Sequence, residues 1–162
     1  MVHCVDSFTA SGDAFSVPIY TTIAQSLDAP LRTCFDRNIT RAGLTEWVRV
    51  HEMMAADAVR SWHGPIDMLY LDGDQSREGA RETYVDWSPF LRVGGVLAIN
   101  NSTEATPREQ GHDGPLLVVR EFVHWPEYEN IRSVQTLTLA IKRRDDLSPT
   151  PRRFEQDNGS GN

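Results

Sequence analysis

Short apolar runs alternate with stretches of helical periodicity along most of this chain, and that alternation restricts the fold more than any other feature. Between the apolar runs, apolar residues recur three and four positions apart, as one face of a helix requires. Alternating strands and helices predict an α/β fold with a largely parallel sheet. A last pair of strands, separated by a very short connection, adds an antiparallel strand at one edge. The predicted strands cover residues 2–8, 47–51, 66–71, 96–99, 131–134 and 137–141.

Capping and turn residues set the expected limits of the helices. Ser16 and Ser76 are predicted N-caps, because a serine hydroxyl accepts a hydrogen bond from the first turn. Gly43 is a predicted C-cap, and Gly94-Gly95 is expected to turn the chain into the fourth strand. Helices are expected after Ser16, across residues 31–39 and 54–62, after Ser76 with Ala80, Tyr84, Trp87 and Leu91 on one face, and from about Pro115.

Length and charge restrict the class of protein. The 162 residues suit one domain, predicted over residues 1–143, with a charged, proline-containing segment at 144–162 expected to be a disordered tail. A net charge of −7 argues against nucleic acid or an anionic membrane as partner. No apolar run reaches the ~18 residues of a membrane span. With no visible signal peptide and only Cys4 and Cys34, a cytoplasmic location is expected.

Three of the predicted strands are followed directly by acidic or amide side chains. Asp6 follows the first, Asp72 and Asp74 follow the third, and Asn100 and Asn101 follow the fourth. Ligands of open α/β sheets bind beyond the carboxyl ends of the strands, so this set favours a functional site. The alternative for each residue is a turn or helix cap. Carboxylate and amide oxygens suit Mg²⁺ or Mn²⁺, which makes Asp72, Asn100 and Asn101 candidate metal ligands.

Asp6 is the candidate for a ribose contact, although an acid in that role normally follows a glycine-rich loop by ~20 residues. Only five residues precede it, and the chain contains no G-x-G-x-x-G motif. Either Asp6 does not bind ribose, or the strand and loop that should precede it are missing. The run that begins at His51 fails as a zinc motif, because Ala55 stands in place of the second histidine. His112, in a polar loop at residues 102–112, is a candidate base.

The segment PIDMLYLDGDQSREGARETYVDWSPFLRVGGVLAINN, residues 65–101, resembles class I S-adenosylmethionine-dependent O-methyltransferases of the macrocin O-methyltransferase and cephalosporin-hydroxylase-like group. The amino-terminal VHCVDSFTASGD resembles the second strand of that family, whose acid binds the cosubstrate ribose. The resemblance implies a Rossmann-like sheet, S-adenosylmethionine as cosubstrate, and Asp6 as its ribose ligand. It also implies that Asp72 and Asn101 orient the acceptor, with or without Mg²⁺.

Three departures from the family pattern accompany the resemblance. The first strand of the family, with its glycine-rich loop, is absent, and family topology places that strand in the middle of the sheet. The resulting gap could close by direct pairing of its neighbours, by a second subunit, or by a piece of chain not in this sequence. Gln75 stands where the family carries a titratable residue, and glutamine cannot act as a base. Asn100 replaces an acid of the metal pair.

Two functions follow as hypotheses. The first is methyl transfer to a hydroxyl of a small molecule or sugar, with Asp74 and His112 as candidate bases beside Asp72. The second is a truncated, non-catalytic module of the same family that acts in oligomer assembly or binding. A third option, a fragment of an NAD-binding oxidoreductase, has no support in the DGD segment. Under either leading hypothesis a homo-oligomer is expected, because the missing strand would leave sheet edges to cover.

Overall fold

The computed structural model describes residues 1–106 and 111–144, and in these residues two separate sheets are present. The smaller sheet pairs β1 with β2 in parallel, and the larger has the strand order β3-β4-β6-β5. These parallel and antiparallel strands, with helices between them, confirm the predicted α/β fold. The strands are β1 (Val2–Asp6), β2 (Val48–Glu52), β3 (Ile66–Leu71), β4 (Leu91–Ile99), β5 (Tyr128–Val134) and β6 (Leu137–Lys142).

Helices connect the strands where the apolar periodicity predicted them. The third is much shorter than expected, because α-helical geometry ends at Ala58 and continues as a 3₁₀ turn over Val59–Ser61. A second 3₁₀ turn, Ser88–Phe90, joins the fourth helix to β4. The helices are α1 (Ser16–Ser26), α2 (Leu31–Arg41), α3 (Ala55–Ala58), α4 (Arg77–Trp87) and α5 (Gly114–Phe122).

Of the three predicted helix caps, Ser76 and Gly43 lie at helix ends as expected, whereas Ser16 lies within α1. The Ser76 hydroxyl accepts a hydrogen bond from the Gly79 N–H, which confirms it as the N-cap of α4. Gly43 follows α2 with a left-handed φ of 67°, and its N–H donates to Thr40, as a helix terminus of this kind requires. Ser16 is not a cap, because it lies inside the first turn of α1. The carboxylate of Asp13 accepts the Ser16 N–H instead.

The fourth strand is longer than predicted. Gly94 and Gly95 do not turn the chain but lie within β4, and Leu91, placed on a helix face by periodicity, is the first residue of this strand. Gly94 adopts a φ of 77°, and the pairing with β3 shifts register between Ile66 and Met68. An irregular strand of this type tolerates a glycine pair that would otherwise indicate a turn. The first strand, in contrast, ends at Asp6 rather than at residue 8.

The antiparallel strand lies one place in from the edge of the larger sheet. β6 pairs antiparallel with β4 on one side and with β5 on the other, so that β5 is the edge strand. The short connection between β5 and β6 was predicted correctly. The pair lies at one edge of the sheet, as predicted, and its inner strand β6 runs antiparallel to β4.

The core lies between the larger sheet and the helices α4 and α5. Phe122, Leu91 and Leu97 are fully buried there. Tyr84 of α4 stacks on Phe122, with ring centroids 4.9 Å apart. Its hydroxyl lies 3.0 Å from the hydroxyl of Tyr128 on β5, and both tyrosines are buried. Burial raises the pKa of both phenols above the usual value, so both remain protonated and bond to each other.

The larger sheet is left uncovered on one face of β3 and along the edge of that strand. On β3, Met68 and Tyr70 are 58% and 52% exposed, although strands of parallel sheets are normally covered on both faces. Each sheet also ends in a strand with an unpaired edge: among the described residues, β1 pairs only with β2 and β3 only with β4. The direct pairing of β1 with β3 that could have closed the sheet is therefore not formed.

Two of the predictions concern segments that lie partly outside the described residues. The expected disordered tail falls mostly on residues 145–162, and the expected polar loop at 102–112 includes residues 107–110; both of these segments lie outside the described residues. The proposed limits of the domain, 1–143, stay a prediction.

We expect Tyr84→Phe to lower the free energy of unfolding by about 1–2 kcal/mol, because it leaves the buried Tyr128 hydroxyl without its partner. Urea unfolding measures the change. The double variant Tyr84→Phe/Tyr128→Phe should cost less than the sum of the two single variants, since it removes both hydroxyls of the pair together. Strict additivity would show that the two hydroxyls do not interact.

Candidate functional site

The carboxyl ends of β1, β3 and β4 carry the predicted site residues, as the sequence indicated. Asp6 ends β1, the loop with Asp72 and Asp74 follows β3, and Asn100 and Asn101 follow β4. The structure brings Asp72 and Asn100 into direct contact. The other residues of the set each make different contacts, which are described below.

Asp72 and Asn100 form a hydrogen-bonded pair across the ends of β3 and β4. The Asn100 amide nitrogen donates to Oδ1 of Asp72 at 2.8 Å. Its carbonyl oxygen accepts a hydrogen bond from Thr136, and the Tyr70 hydroxyl lies 3.4 Å from the other oxygen of Asp72. Every polar atom of the Asn100 side chain therefore has a partner of the correct kind, donor to acceptor.

This arrangement does not fit a hard cation. An amide nitrogen, which cannot ligate Mg²⁺, faces the only carboxylate of the predicted set Asp72, Asn100 and Asn101. Residues 1–106 and 111–144 contain no group of three or more His, Cys, Asp or Glu side chains placed to hold a metal ion. Asn101 adopts a left-handed φ of 52°, a conformation that asparagine tolerates. The predicted magnesium site is not confirmed.

Asp74 is used within its own loop. Its Oδ1 accepts the Ser76 N–H at 2.8 Å, and its side chain fills the space beside Gly79, where a Cβ would lie 2.3 Å from the carboxyl group. The Gln75 side chain folds back and donates to the Gly73 carbonyl at 2.8 Å. These contacts match the alternative interpretation of Asp74 as a residue that shapes the start of α4.

The loop after β3 packs directly against the start of α5. The Gly114 N–H donates to the Gln75 carbonyl, and a Cβ at Gly114 would lie 2.1 Å from the Ser76 carbonyl oxygen. Arg77 and Asp113 add an ion pair with two hydrogen bonds, of 2.6 Å and 2.9 Å. A small cavity of about 20 Å³ lies beneath this loop. It has room for about one water molecule and none for a cofactor.

Asp13 was not among the predicted site residues, but it connects three segments of the site. Its carboxylate, almost fully buried, accepts the N–H groups of Phe15 and Ser16 at 3.0 Å and 2.9 Å and the Ser16 hydroxyl at 2.8 Å. It also accepts the Gln75 N–H at 3.4 Å. The sequence signal for this role is an aspartate three residues before a helix-starting serine, and the prediction of Ser16 as the cap was wrong.

His112 lies against the same carboxylate. Its Nδ1 is 3.0 Å from Oδ1 of Asp13, and the imidazole ring packs on Phe15 with centroids 4.7 Å apart. Nδ1 is enclosed, and the contact has the distance of an ion pair without the alignment of a strong hydrogen bond. Burial acts to raise the pKa of Asp13. The hydrogen bonds from Ser16 and Gln75 and the nearby His112 outweigh it and hold this pKa below its usual value.

Asp6 retains hydrogen-bonding capacity. It is exposed at the end of β1, where Oδ1 accepts the Phe8 N–H at 2.6 Å, and Oδ2 makes no hydrogen bond to a described residue. A left-handed φ of 54° at Phe8 turns the chain sharply beyond it. An exposed carboxylate oxygen at the end of a parallel strand can accept hydrogen bonds from the hydroxyls of a ligand.

Among known families, the sequence profile of one described as a methyltransferase domain matches residues 1–102. The chain belongs to this methyltransferase family. The match includes the whole of β1 to β4 and extends to Asn100 and Asn101, so the predicted site residues other than His112 lie within the family domain.

Solved structures similar to this methyltransferase-family chain show the same fold. A proposed O-methyltransferase from Klebsiella pneumoniae is 16% identical, with a TM-score of 0.57 over 88% of this chain and 73% of that one. The O-methyltransferase from Bacillus cereus in complex with SAH is 14% identical, with a TM-score of 0.55 over 87% and 73%. TomG from Streptomyces achromogenes, an O-methyltransferase involved in tomaymycin synthesis and bound to SAM, is 17% identical, with a TM-score of 0.51 over 88% and 73%.

A membrane-spanning helix is not found in this family member. None of the helices in residues 1–106 and 111–144 combines the length and apolar character needed to cross a bilayer.

We expect Gly114→Ala to lower the free energy of unfolding by about 2 kcal/mol or more, because the new methyl group would overlap the Ser76 carbonyl. Chemical denaturation measures the loss. Gly12→Ala is the matched control, since nothing lies within 4 Å of its Cβ position, and it should change stability by less than about 1 kcal/mol. Equal effects of the two substitutions would contradict the close contact between α5 and the β3 loop.

Proposed function

We propose that this chain is an S-adenosylmethionine-dependent O-methyltransferase that acts on a hydroxyl group of a small molecule or sugar. The observation that supports it is the exposed, partly unpaired carboxylate of Asp6 at the end of a parallel strand in a methyltransferase-family domain. The fold is shared with O-methyltransferases that were solved with SAM or SAH. Similarity in residues 65–101 favours the macrocin O-methyltransferase and cephalosporin-hydroxylase-like group.

Asp6 binds the ribose hydroxyls of the cosubstrate in this proposal. Its free Oδ2 accepts hydrogen bonds from the two hydroxyls, while the Phe8 N–H keeps Oδ1 in place. S-adenosylmethionine supplies the methyl group when it is bound. Asp72 and Asn101 orient the acceptor from the ends of β3 and β4. Because the Asp72–Asn100 pair does not fit a cation, no step of the proposed reaction uses Mg²⁺.

Of the two candidate bases, His112 suits the role better than Asp74. The Asp74 carboxylate is engaged with the backbone at the start of α4. His112 directs only Nδ1 into the protein, and its Nε2 makes no hydrogen bond to a described residue. A general base must present a free lone pair to the hydroxyl from which it removes a proton. Nε2 meets that condition.

Calorimetric titration with S-adenosylhomocysteine tests the proposed cosubstrate site. We expect micromolar affinity, about −8 kcal/mol. Asp6→Ala should weaken it by roughly 10- to 100-fold, since hydrogen bonds to a charged group are lost. Asp57→Ala, which removes an exposed aspartate on α3, is the control and should leave the affinity unchanged. A folded chain that binds no S-adenosylhomocysteine would overturn the proposal and favour the non-catalytic binding module.

We also propose that the chain forms a homo-oligomer in which a second copy covers the uncovered parts of the larger sheet. The exposed Met68 and Tyr70 side chains and the unpaired edge of β3 support an interface there. The resemblance of residues 65–101 implies an additional strand between β1 and β3, and the two sheets are separate among the described residues, so we propose that a further strand belongs there.

Light scattering should give a molecular mass of at least twice 18.3 kDa. Met68→Lys should shift the oligomer toward the monomer, because it places a charge in the proposed interface. Met54→Lys is the matched control; Met54 is similarly exposed but precedes α3 and is not part of β3, and its substitution should have no effect. A wild-type chain that runs as a clean monomer would contradict the oligomer.

A further inference from the structure

His112 and Asp13 form a histidine–carboxylate pair at the edge of the sheet where the proposed acceptor binds. Asp13 follows β1 by seven residues, Gln75 follows β3 by four, and His112 lies between β4 and α5. The contacts of the Asp13 carboxylate with Gln75 and His112 place all three connections together. The carboxyl ends of parallel strands are the edge at which ligands of such sheets bind.

The two ring nitrogens of His112 are in different surroundings. Nδ1 is enclosed and lies 3.0 Å from Oδ1 of Asp13, and no other acceptor contacts it among the described residues. Nε2 has no hydrogen-bond partner there, and the side chain as a whole is 16% exposed. A carboxylate beside one nitrogen favours the tautomer that carries its proton on that nitrogen. The second nitrogen then has its lone pair free.

Hydrogen bonds from the start of α1 hold the Asp13 carboxylate in place. Three hydrogen bonds from Phe15 and Ser16 attach its carboxylate to the first turn of α1, and Phe15 in turn packs on the imidazole ring. The carboxylate, the helix end and the ring therefore support one another. A histidine that only filled space in a loop would not need a buried carboxylate at its inner nitrogen.

We propose that Asp13 is a positioning residue that keeps the proton of His112 on Nδ1, so that Nε2 accepts the proton of the acceptor hydroxyl. In that step the O–H bond breaks toward Nε2, and the oxygen lone pair forms a bond to the methyl carbon. The carbon–sulfur bond of S-adenosylmethionine breaks with its electron pair on sulfur. The products are the methyl ether, S-adenosylhomocysteine and a protonated His112. This assignment rests on the proposed methyltransferase function.

His124 is an internal control for this proposal. It too lies beside a carboxylate, with Nδ1 3.2 Å from Oε2 of Glu127. Its second nitrogen, however, lies 3.2 Å from the Glu121 carbonyl oxygen, so that both nitrogens face oxygen atoms. His124 therefore has the surroundings of a structural histidine, whereas His112 leaves one nitrogen free. His63 is exposed on the surface and supplies the reference for an unrestrained ring.

Diethyl pyrocarbonate, which acylates unprotonated ring nitrogens, tests the free lone pair. Trypsin separates the three histidines into the peptides 109–120, 61–77 and 121–132, so that mass spectrometry follows each one. We expect His112 to react within about tenfold of the rate of His63, and His124 to react far more slowly. Asp13→Asn should slow His112 at least about tenfold, because an asparagine amide donates to Nδ1 and moves the ring proton to Nε2.

Nitrogen-15 NMR of the histidine rings reads the tautomer directly. In the wild-type chain the neutral His112 ring should carry its proton on Nδ1, and His112→Gln assigns the signal. A proton on Nε2, or a tautomer that Asp13→Asn does not change, would overturn the proposal. If Asp13→Asn does not fold, the wild-type tautomer alone decides. Ser16→Ala, which removes one hydrogen bond to Asp13 but keeps its charge, should leave the tautomer unchanged.

Titration of the same samples with S-adenosylhomocysteine separates the two proposals. If the chain binds S-adenosylhomocysteine but His112 is unreactive, the proposed function stands and the role of His112 and Asp13 is overturned. If the chain binds no S-adenosylhomocysteine, the proposed function itself is overturned. With an acceptor in hand, His112→Gln should reduce kcat by roughly 10²- to 10⁴-fold. Its affinity for S-adenosylhomocysteine should stay within about twofold of the wild-type value.

Discussion

The carboxylate of Asp13 connects the segments on which the candidate site depends. It receives the first N–H groups of α1, an N–H from the loop after β3, and the imidazole of the loop before α5. These segments are up to about a hundred residues apart in the chain, yet they share one buried anion. A buried charge is costly unless it is hydrogen-bonded or paired, and these partners together hold the pKa of Asp13 below its usual value.

A second close contact sets the geometry of the adjacent loop. Gly114 lets α5 approach the Ser76 carbonyl to a distance that no side chain would permit, and the Arg77–Asp113 pair holds the two helix ends together. The loop after β3 is thereby fixed on one side by α5 and on the other by Asp13. Asp72 projects from this fixed loop toward Asn100. Contacts on both sides of the loop thus position Asp72, the candidate acceptor-binding residue that follows β3.

The order of strands and helices could be predicted from the sequence, because apolar periodicity reports which faces are buried. The predicted limits failed where local and tertiary preferences differed. Gly94 and Gly95 have the composition of a turn, but pairing with β3 keeps them in a strand. Ser16 is a good cap by residue type, yet the longer reach of Asp13 lets it take that place.

The candidate site was predictable only in part. Residues at the carboxyl ends of strands were found, since strand order alone places them at one edge. The contacts that each of those residues makes could not be predicted, because a hydrogen bond such as that from Asn100 to Asp72 depends on side-chain orientation. Asp13 could not be predicted as a site residue, because it follows no strand directly and its partner His112 is 99 positions away in the sequence. Contacts across such a separation leave no local pattern.

The separation of the two sheets has a consequence for how the molecule opens. The buried apolar cluster is built from residues between Ala58 and Ala140, and from the smaller sheet only Val5 packs against it. The first fifty residues therefore contribute little to this cluster, and the ring of Trp62 packs edge-on against His3 of the smaller sheet. Regions of this kind exchange their amide hydrogens through local opening, at a lower free energy than global unfolding. The segment that carries Asp6 would thus sample open forms while the core around Phe122 stays closed, and a ligand bound at Asp6 would be expected to slow that exchange.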